Sequence, residues 1–154
     1  MAELTVTTTR PSTPAPPGEH TATIPTSPAR LSGAVLSAAR AVVGFLYACH
    51  GADSLFGVFG REHTAAFGAW PSWYAGVIAL FGGALVAIGL ATRPAALLCS
   101  GAMAFAYFTV HQPGGLLPIQ NHGEPAAMFC WTFLLIATLG PGSFALDTLR
   151  RRRA

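Results

Sequence analysis

Residues 73–91 read WYAGVIALFGGALVAIGLA, a run without a single charge. Ala75, Ala79, Gly83 and Ala87 recur in it every four residues. On a helix that spacing lays a stripe of small side chains along one face, and such stripes let helices approach closely in lipid, where no hydrophobic effect draws them together. Just before the run, Trp70-Pro71-Ser72-Trp73-Tyr74 carries the aromatic rings that favour the headgroup level of a bilayer. Just after it, Thr92-Arg93-Pro94 leaves room only for a tight turn, and the apolar sequence resumes from Pro94 to about Val110.

The same pattern extends in both directions. Upstream, Ala41–Phe59 (AVVGFLYACHGADSLFGVF) lies between Arg40 and Gly60-Arg61-Glu62-His63. Its length suits a hydrocarbon core about 30 Å thick, which takes about 20 residues rising 1.5 Å each. Downstream, a fourth stretch opens at Glu124-Pro125, with proline where its missing N–H costs nothing, and stops at Gly140-Pro141-Gly142. The expected fold is all-α: a four-helix transmembrane bundle over residues 33–149.

Composition points the same way. The chain is 52% hydrophobic and only 10% charged, with a mean hydropathy of +0.49. Soluble domains carry about 25% charged residues, so there is too little charge here to cover a water-facing surface. All nine basic residues are arginine, and four of them form Arg150–Arg153. No soluble domain stands beside that run to read bases, so it is expected to anchor against anionic headgroups and not to bind nucleic acid. Residues 1–32 form a Thr/Pro-rich tail, expected to be disordered; it lacks the charged-then-apolar order of a secretory signal. Residues 150–154 form a basic end. Cys49, Cys99 and Cys130 stand apart, without CxxC or metal-ligand spacing.

With the N-terminus inside, Arg10, Arg30, Arg40, Arg93 and Arg150–Arg153 fall on the cytoplasmic side and Arg61 alone outside, eight against one. That asymmetry predicts both termini in the cytoplasm. It also sends most of the non-arginine polar groups to the outer end: His50 and Asp53 in the first helix, Tyr107 and His111 closing the third, and Asn121, His122 and Glu124 opening the fourth.

His50 and Asp53, spaced i, i+3, share a helix face, and a carboxylate at membrane depth is costly enough to need a partner. Together an imidazole and a carboxylate can exchange protons, as a quinone site or a proton relay requires. The alternative is structural, with Asp53 pairing with His50 or Arg61 to fix helix packing. Glu124 likewise has two readings, as a binding group or as a complement to its helix dipole, with Asn121 as half of a capping box. His50, His111 and His122 could meet in space, but their spacing matches no metal-ligand motif.

Four ordered segments resemble the DoxX family. His50-Gly51-Ala52-Asp53-Ser54-Leu55-Phe56-Gly57 is similar to that family's "hG-x-x-K-L-F-G" segment in its first helix. Gly89-Leu90-Ala91-Thr92-Arg93-Pro94-Ala95-Ala96 resembles its turn between helices two and three. His111-Gln112-Pro113 with Pro118-Ile119-Gln120-Asn121-His122-Gly123-Glu124 resembles its outer loop, and Gly140-Pro141-Gly142 followed by Leu146-Asp147 its C-terminal signature. Ser54 stands where the family often has lysine, which bears on any anionic substrate or partner that lysine would meet.

The resemblance implies a multi-pass protein of the bacterial cytoplasmic (inner) membrane, working as a subunit of a quinone-linked oxidoreductase complex or as a membrane partner in redox stress. His50 and Asp53 are then the expected proton-exchanging pair, and Tyr107, His111, Asn121, His122 and Glu124 the ligand-binding set. Quinone is the expected ligand, with nothing covalently bound and no metal. Electrons would come from a protein partner, and a homo-oligomer is compatible with the sequence. The competing expectation is a non-catalytic scaffold that recruits a soluble partner through its tail or its arginine end.

Overall fold

A computed structural model describes the backbone of residues 28–153 and the side chains of residues 31–150. Every regular element among the described residues is helical. Helix α1 spans Pro28–Phe56, α2 Ser72–Ile88, α3 Thr92–Gly114, α4 Glu124–Leu139 and α5 Leu146–Arg153. Two of these, Leu31–Phe56 within α1 and Thr92–Gly114, are long and apolar enough to cross a membrane, while α2 and α4 are shorter apolar helices. At 1.5 Å per residue the shorter pair still reach about 25 Å.

The first helix starts well before the expected Ala41. It takes in residues 28–32, which the sequence assigns to the tail; the rest of the tail lies outside the described residues. Arg40 is therefore not a boundary marker. It sits inside α1 and is 2% exposed. Its guanidinium donates to four carbonyls: Val86, Ala87 (2.8 Å), Pro141 (3.0 Å) and Phe144 (2.8 Å). Helix ends leave carbonyls unpaired, and here a charged donor from another helix satisfies those of α2.

The helices pack in chain order, with α1 on α2 and α3 on α4 as the main contacts. Small residues make the first of these possible. A Cβ on Gly44 would lie 2.5 Å from the Ala87 nitrogen, and one on Gly83 would lie 2.6 Å from the Ala48 nitrogen. The predicted stripe is present at Ala79, Gly83 and Ala87, but at the start of α2 the buried residue is Gly76, not Ala75. Gly76 lies two ordinary helical turns before Gly83, whereas a strict four-residue step overruns the roughly 3.6-residue period and carries Ala75 off the packing face; a π-helical turn lies between, at Ile78–Gly82.

Tyr47, Val86, Cys99, Phe133 and Ile136 lie in the core with the alanines Ala79, Ala95, Ala96 and Ala126. Tyr47 packs against Phe129 (tilted) and Phe133 (edge-on) at 5.3 and 4.8 Å between ring centroids, which ties α4 back to α1. Larger side chains point outward instead, among them Phe45, Phe81, Leu97, Phe108 and Leu135. Small residues inside and large apolar ones outside is the distribution expected when the surroundings are lipid.

Two of the segments singled out in the sequence interlock at the end that holds Arg40. Helix α2 stops at Gly89 (φ 75°), where the Leu90 N–H closes on the Leu85 carbonyl. Asp147 then caps α3 from a distant part of the chain, accepting from the Ala91 and Thr92 N–H groups and the Thr92 hydroxyl, each at 2.9 Å. Ser37 accepts from the Phe144 N–H at 3.0 Å, which holds the same segment to α1.

Candidate functional site

The opposite end of the molecule gathers the polar groups. His50 lies near the end of α1, which stops at Gly57 (φ 66°). His111 closes a π-helical turn, Tyr107–His111, within α3. His122 belongs to the following loop and has a left-handed backbone, φ 56°. These three elements bring the three imidazoles to one cavity of about 250 Å³, whose apolar wall includes Met103, Ala126 and Phe129. Among the described residues, no three His, Cys, Asp or Glu groups are placed to hold a metal ion. The histidines therefore surround a space and do not converge on a point.

Local bonds fix part of this arrangement. His111 Nδ1 lies 3.2 Å from the Asn121 carbonyl oxygen. A carbonyl only accepts, so Nδ1 carries a proton, and in the neutral ring Nε2 is then the acceptor. Asn121, 7% exposed, donates from Nδ2 to the Gly115 carbonyl and accepts from the Gly123 N–H, both at 2.8 Å. Its side chain thus shapes the loop. No side chain caps α4, whose N-cap is Gly123, so the half capping box expected of Asn121 does not form. Glu124 occupies the first turn of α4 and is exposed, in position to complement the helix dipole. His50 stacks parallel to Tyr47, 6.5 Å between centroids.

Four of the seven predicted site residues do not line the cavity: Asn121 and Glu124 border it in the loop and the first turn of α4, and Asp53 and Tyr107 lie elsewhere. Asp53 accepts from the Phe59 N–H at 2.9 Å and from Arg61 Nε at 3.4 Å, so of the two structural partners considered it takes Arg61. It is not part of the cavity wall. Tyr107 lines a neighbouring hollow with Cys130 and Trp131, and its hydroxyl donates to the Leu116 carbonyl at 3.3 Å. Ser54 faces Gly76 of α2. The three cysteines are free.

Sequence reasoning missed Tyr47. It is fully buried beneath His50 and Phe129, and its hydroxyl has no hydrogen-bond partner. The available signal was its place on the buried face of α1, where Ser37, Arg40, Gly44, Tyr47 and Gly51 follow one another at helical spacing.

A helical core packed through glycine and alanine, an apolar exterior and a histidine-lined cavity at one end define a helical membrane protein. The DoxX family model matches residues 35–112. A protein described as "Uncharacterized protein" from Haemophilus influenzae is 36% identical over 113 residues, covering 70% of this chain and 84% of its own length. The chain belongs to the DoxX family. No solved structure matches it.

Proposed function

We propose that the chain crosses the bacterial cytoplasmic membrane four times, with both termini inside, as the membrane subunit of a redox complex that takes a quinone or quinol head-group into the histidine-lined cavity. The observation that carries this reading is the meeting of His50, His111 and His122, from three separate elements, around one space. At about 250 Å³ the space is smaller than the ~300–1,000 Å³ of drug-sized sites. It suits a ring-sized head-group whose isoprenoid chain remains in the lipid.

Reducing a quinone to its quinol takes two electrons and two protons. Imidazoles are suited to the proton part, because they titrate near neutral pH and both donate and accept. His50 gives the head-group each proton in turn, and Asp53, one turn closer to the outer surface, relays protons to it from solvent. The Nε2 acceptor of His111 orients the ring, and Asn121 and Glu124 hold the loop and helix start that close the cavity. The electrons arrive from a partner protein with its own redox centre.

The test is solvent extraction of protein purified in mild detergent, with isoprenoid quinone measured by mass spectrometry. Near-stoichiometric quinone is expected in the wild type, with at least a severalfold loss in His50→Ala and a smaller loss in Asp53→Asn. Equal trace amounts in all three would mean bulk lipid carry-over and would overturn the reading. A scaffold role is favoured by a different observation, the exposed Phe59 and Phe67 on the loop between α1 and α2, which suit a protein partner. It predicts that Phe59→Ser/Phe67→Ser abolishes complex assembly while His50→Ala leaves both assembly and turnover unchanged.

A further inference from the structure

We propose that the cleft between the α2–α3 turn and α5 is a binding site for the phosphate of an anionic phospholipid headgroup. The cleft, about 330 Å³, is lined by Thr92, Arg93, Pro94, Pro141, Asp147 and Arg150. It lies at the opposite end from the histidines and does not depend on what they bind.

Two guanidinium groups face this one space. Arg93, in the first turn of α3, is exposed, and its hydrogen bond to the Ala137 carbonyl is long, 3.4 Å, leaving most of its five N–H donors unused. Arg150, on α5, is exposed and takes part in none of the hydrogen bonds or ion pairs among the described side chains. The one acid in the wall is Asp147, whose carboxylate accepts from Ala91 N–H, Thr92 N–H and Thr92 Oγ1. Much of its charge is answered there, and the cleft keeps a positive balance. Paired guanidiniums match a phosphate well, because each planar fork can give two parallel N–H bonds to its oxygens.

The neighbouring surface sets the level of the cleft. Phe144, Leu146 and Leu149 are 73%, 41% and 53% exposed, and with Ile88 they line an adjoining apolar hollow. Helix α5 thus has apolar side chains beside a basic cleft, the arrangement of a helix lying at the boundary between headgroups and acyl chains. A soluble phosphate would have no use for that apolar hollow, whereas a phospholipid places its phosphate and its chains at these two depths. A basic pocket between helix ends is a known chemistry for anionic headgroups. A zwitterionic lipid brings an ammonium group that the same cleft repels.

The experiment is lipid titration of the full-length protein in detergent, read by native mass spectrometry, with phosphatidylglycerol and phosphatidylcholine of identical chains. The first phosphatidylglycerol is expected to bind roughly tenfold more tightly or better, on the scale of two arginines beside an anionic lipid. Arg93→Gln/Arg150→Gln should lose that preference, and Arg150→Gln alone, an exposed change that leaves the helix packing intact, should reduce it severalfold. Arg151→Gln/Arg152→Gln/Arg153→Gln should retain the first tight site. An unchanged preference in Arg150→Gln, or its loss only in the triple variant, would overturn the assignment to this cleft. Displacement of the lipid by millimolar inorganic phosphate would reassign the site to a free anion.

Discussion

Arg40 organises one end of this molecule by satisfying four carbonyls from two different segments. Replacing it with glutamine leaves most of those buried acceptors unpaired, each at a cost of about 1–3 kcal/mol. Arg40→Gln should therefore lower the thermal midpoint in detergent more than any single change in the histidine cavity, as a fluorescence-detected melt would show. Tyr47 is the opposite case. Its hydroxyl is buried without a partner, so Tyr47→Phe should be neutral or stabilising by up to about 1 kcal/mol in the same melt. If the quinone retention proposed above is found and is unchanged in Tyr47→Phe, the hydroxyl takes no part in binding. Of these two residues the sequence exposed only the identity. An arginine next to an apolar run reads as a membrane boundary by charge alone, and only carbonyls from two distant chain segments, the end of α2 and residues 141–144, make it an interior residue. The i, i+3 spacing of His50 and Asp53 was legible as a shared helix face. The loop turning Phe59 and Arg61 back onto the carboxylate was not, because it depends on how α1 ends.

At the scale of helices, the small-residue stripe of α2 could be read directly, since a four-residue repeat of Ala and Gly has a plain steric meaning. Its phase error at Ala75 has an equally plain cause: a strict four-residue step overruns the roughly 3.6-residue turn, so the face passes to Gly76. A π turn at Tyr107–His111 begins at Tyr107 and ends at His111, and the two residues that the sequence had grouped together line neighbouring but separate hollows. Gly44→Leu tests the α1–α2 contact. Any side chain there meets the Ala87 and Gly83 backbone, and backbone cannot rotate away, so the loss should equal or exceed the about 1–3 kcal/mol typical of overpacking. Asp147→Asn addresses the cap on α3. The amide keeps one acceptor oxygen but loses the charge and the second, and the loss should be about 0.5–2 kcal/mol, the range for a helix cap. Both values would be read as shifts in a detergent melt, and the Asp147 change should leave quinone retention at the far end unaltered.

For the whole molecule, the inside-out distribution of side-chain size agrees with the composition, and the polar residues divide between two ends. Moving Arg40 from the loop to the interior removes it from the arginine tally, so eight against one becomes seven against one. The asymmetry that predicts the orientation survives. Its consequence can be checked by accessibility. With Cys49, Cys99 and Cys130 replaced by alanine or serine, single cysteines are placed at His63 between α1 and α2, at Ile119 between α3 and α4, and at Ala154. Four crossings with both ends inside require that a membrane-impermeant maleimide label His63→Cys and Ile119→Cys in intact cells, and Ala154→Cys only after permeabilisation. Opposite behaviour at 63 and 119 would mean that α2 or α3 does not cross, which is where the shortness of α2 would matter. Labelling of Ala154→Cys alone would invert the molecule. The histidine cavity would then open to the cytoplasm and the arginine cleft to the outer leaflet, and the proposed quinone reduction would draw its electrons and protons from the other side.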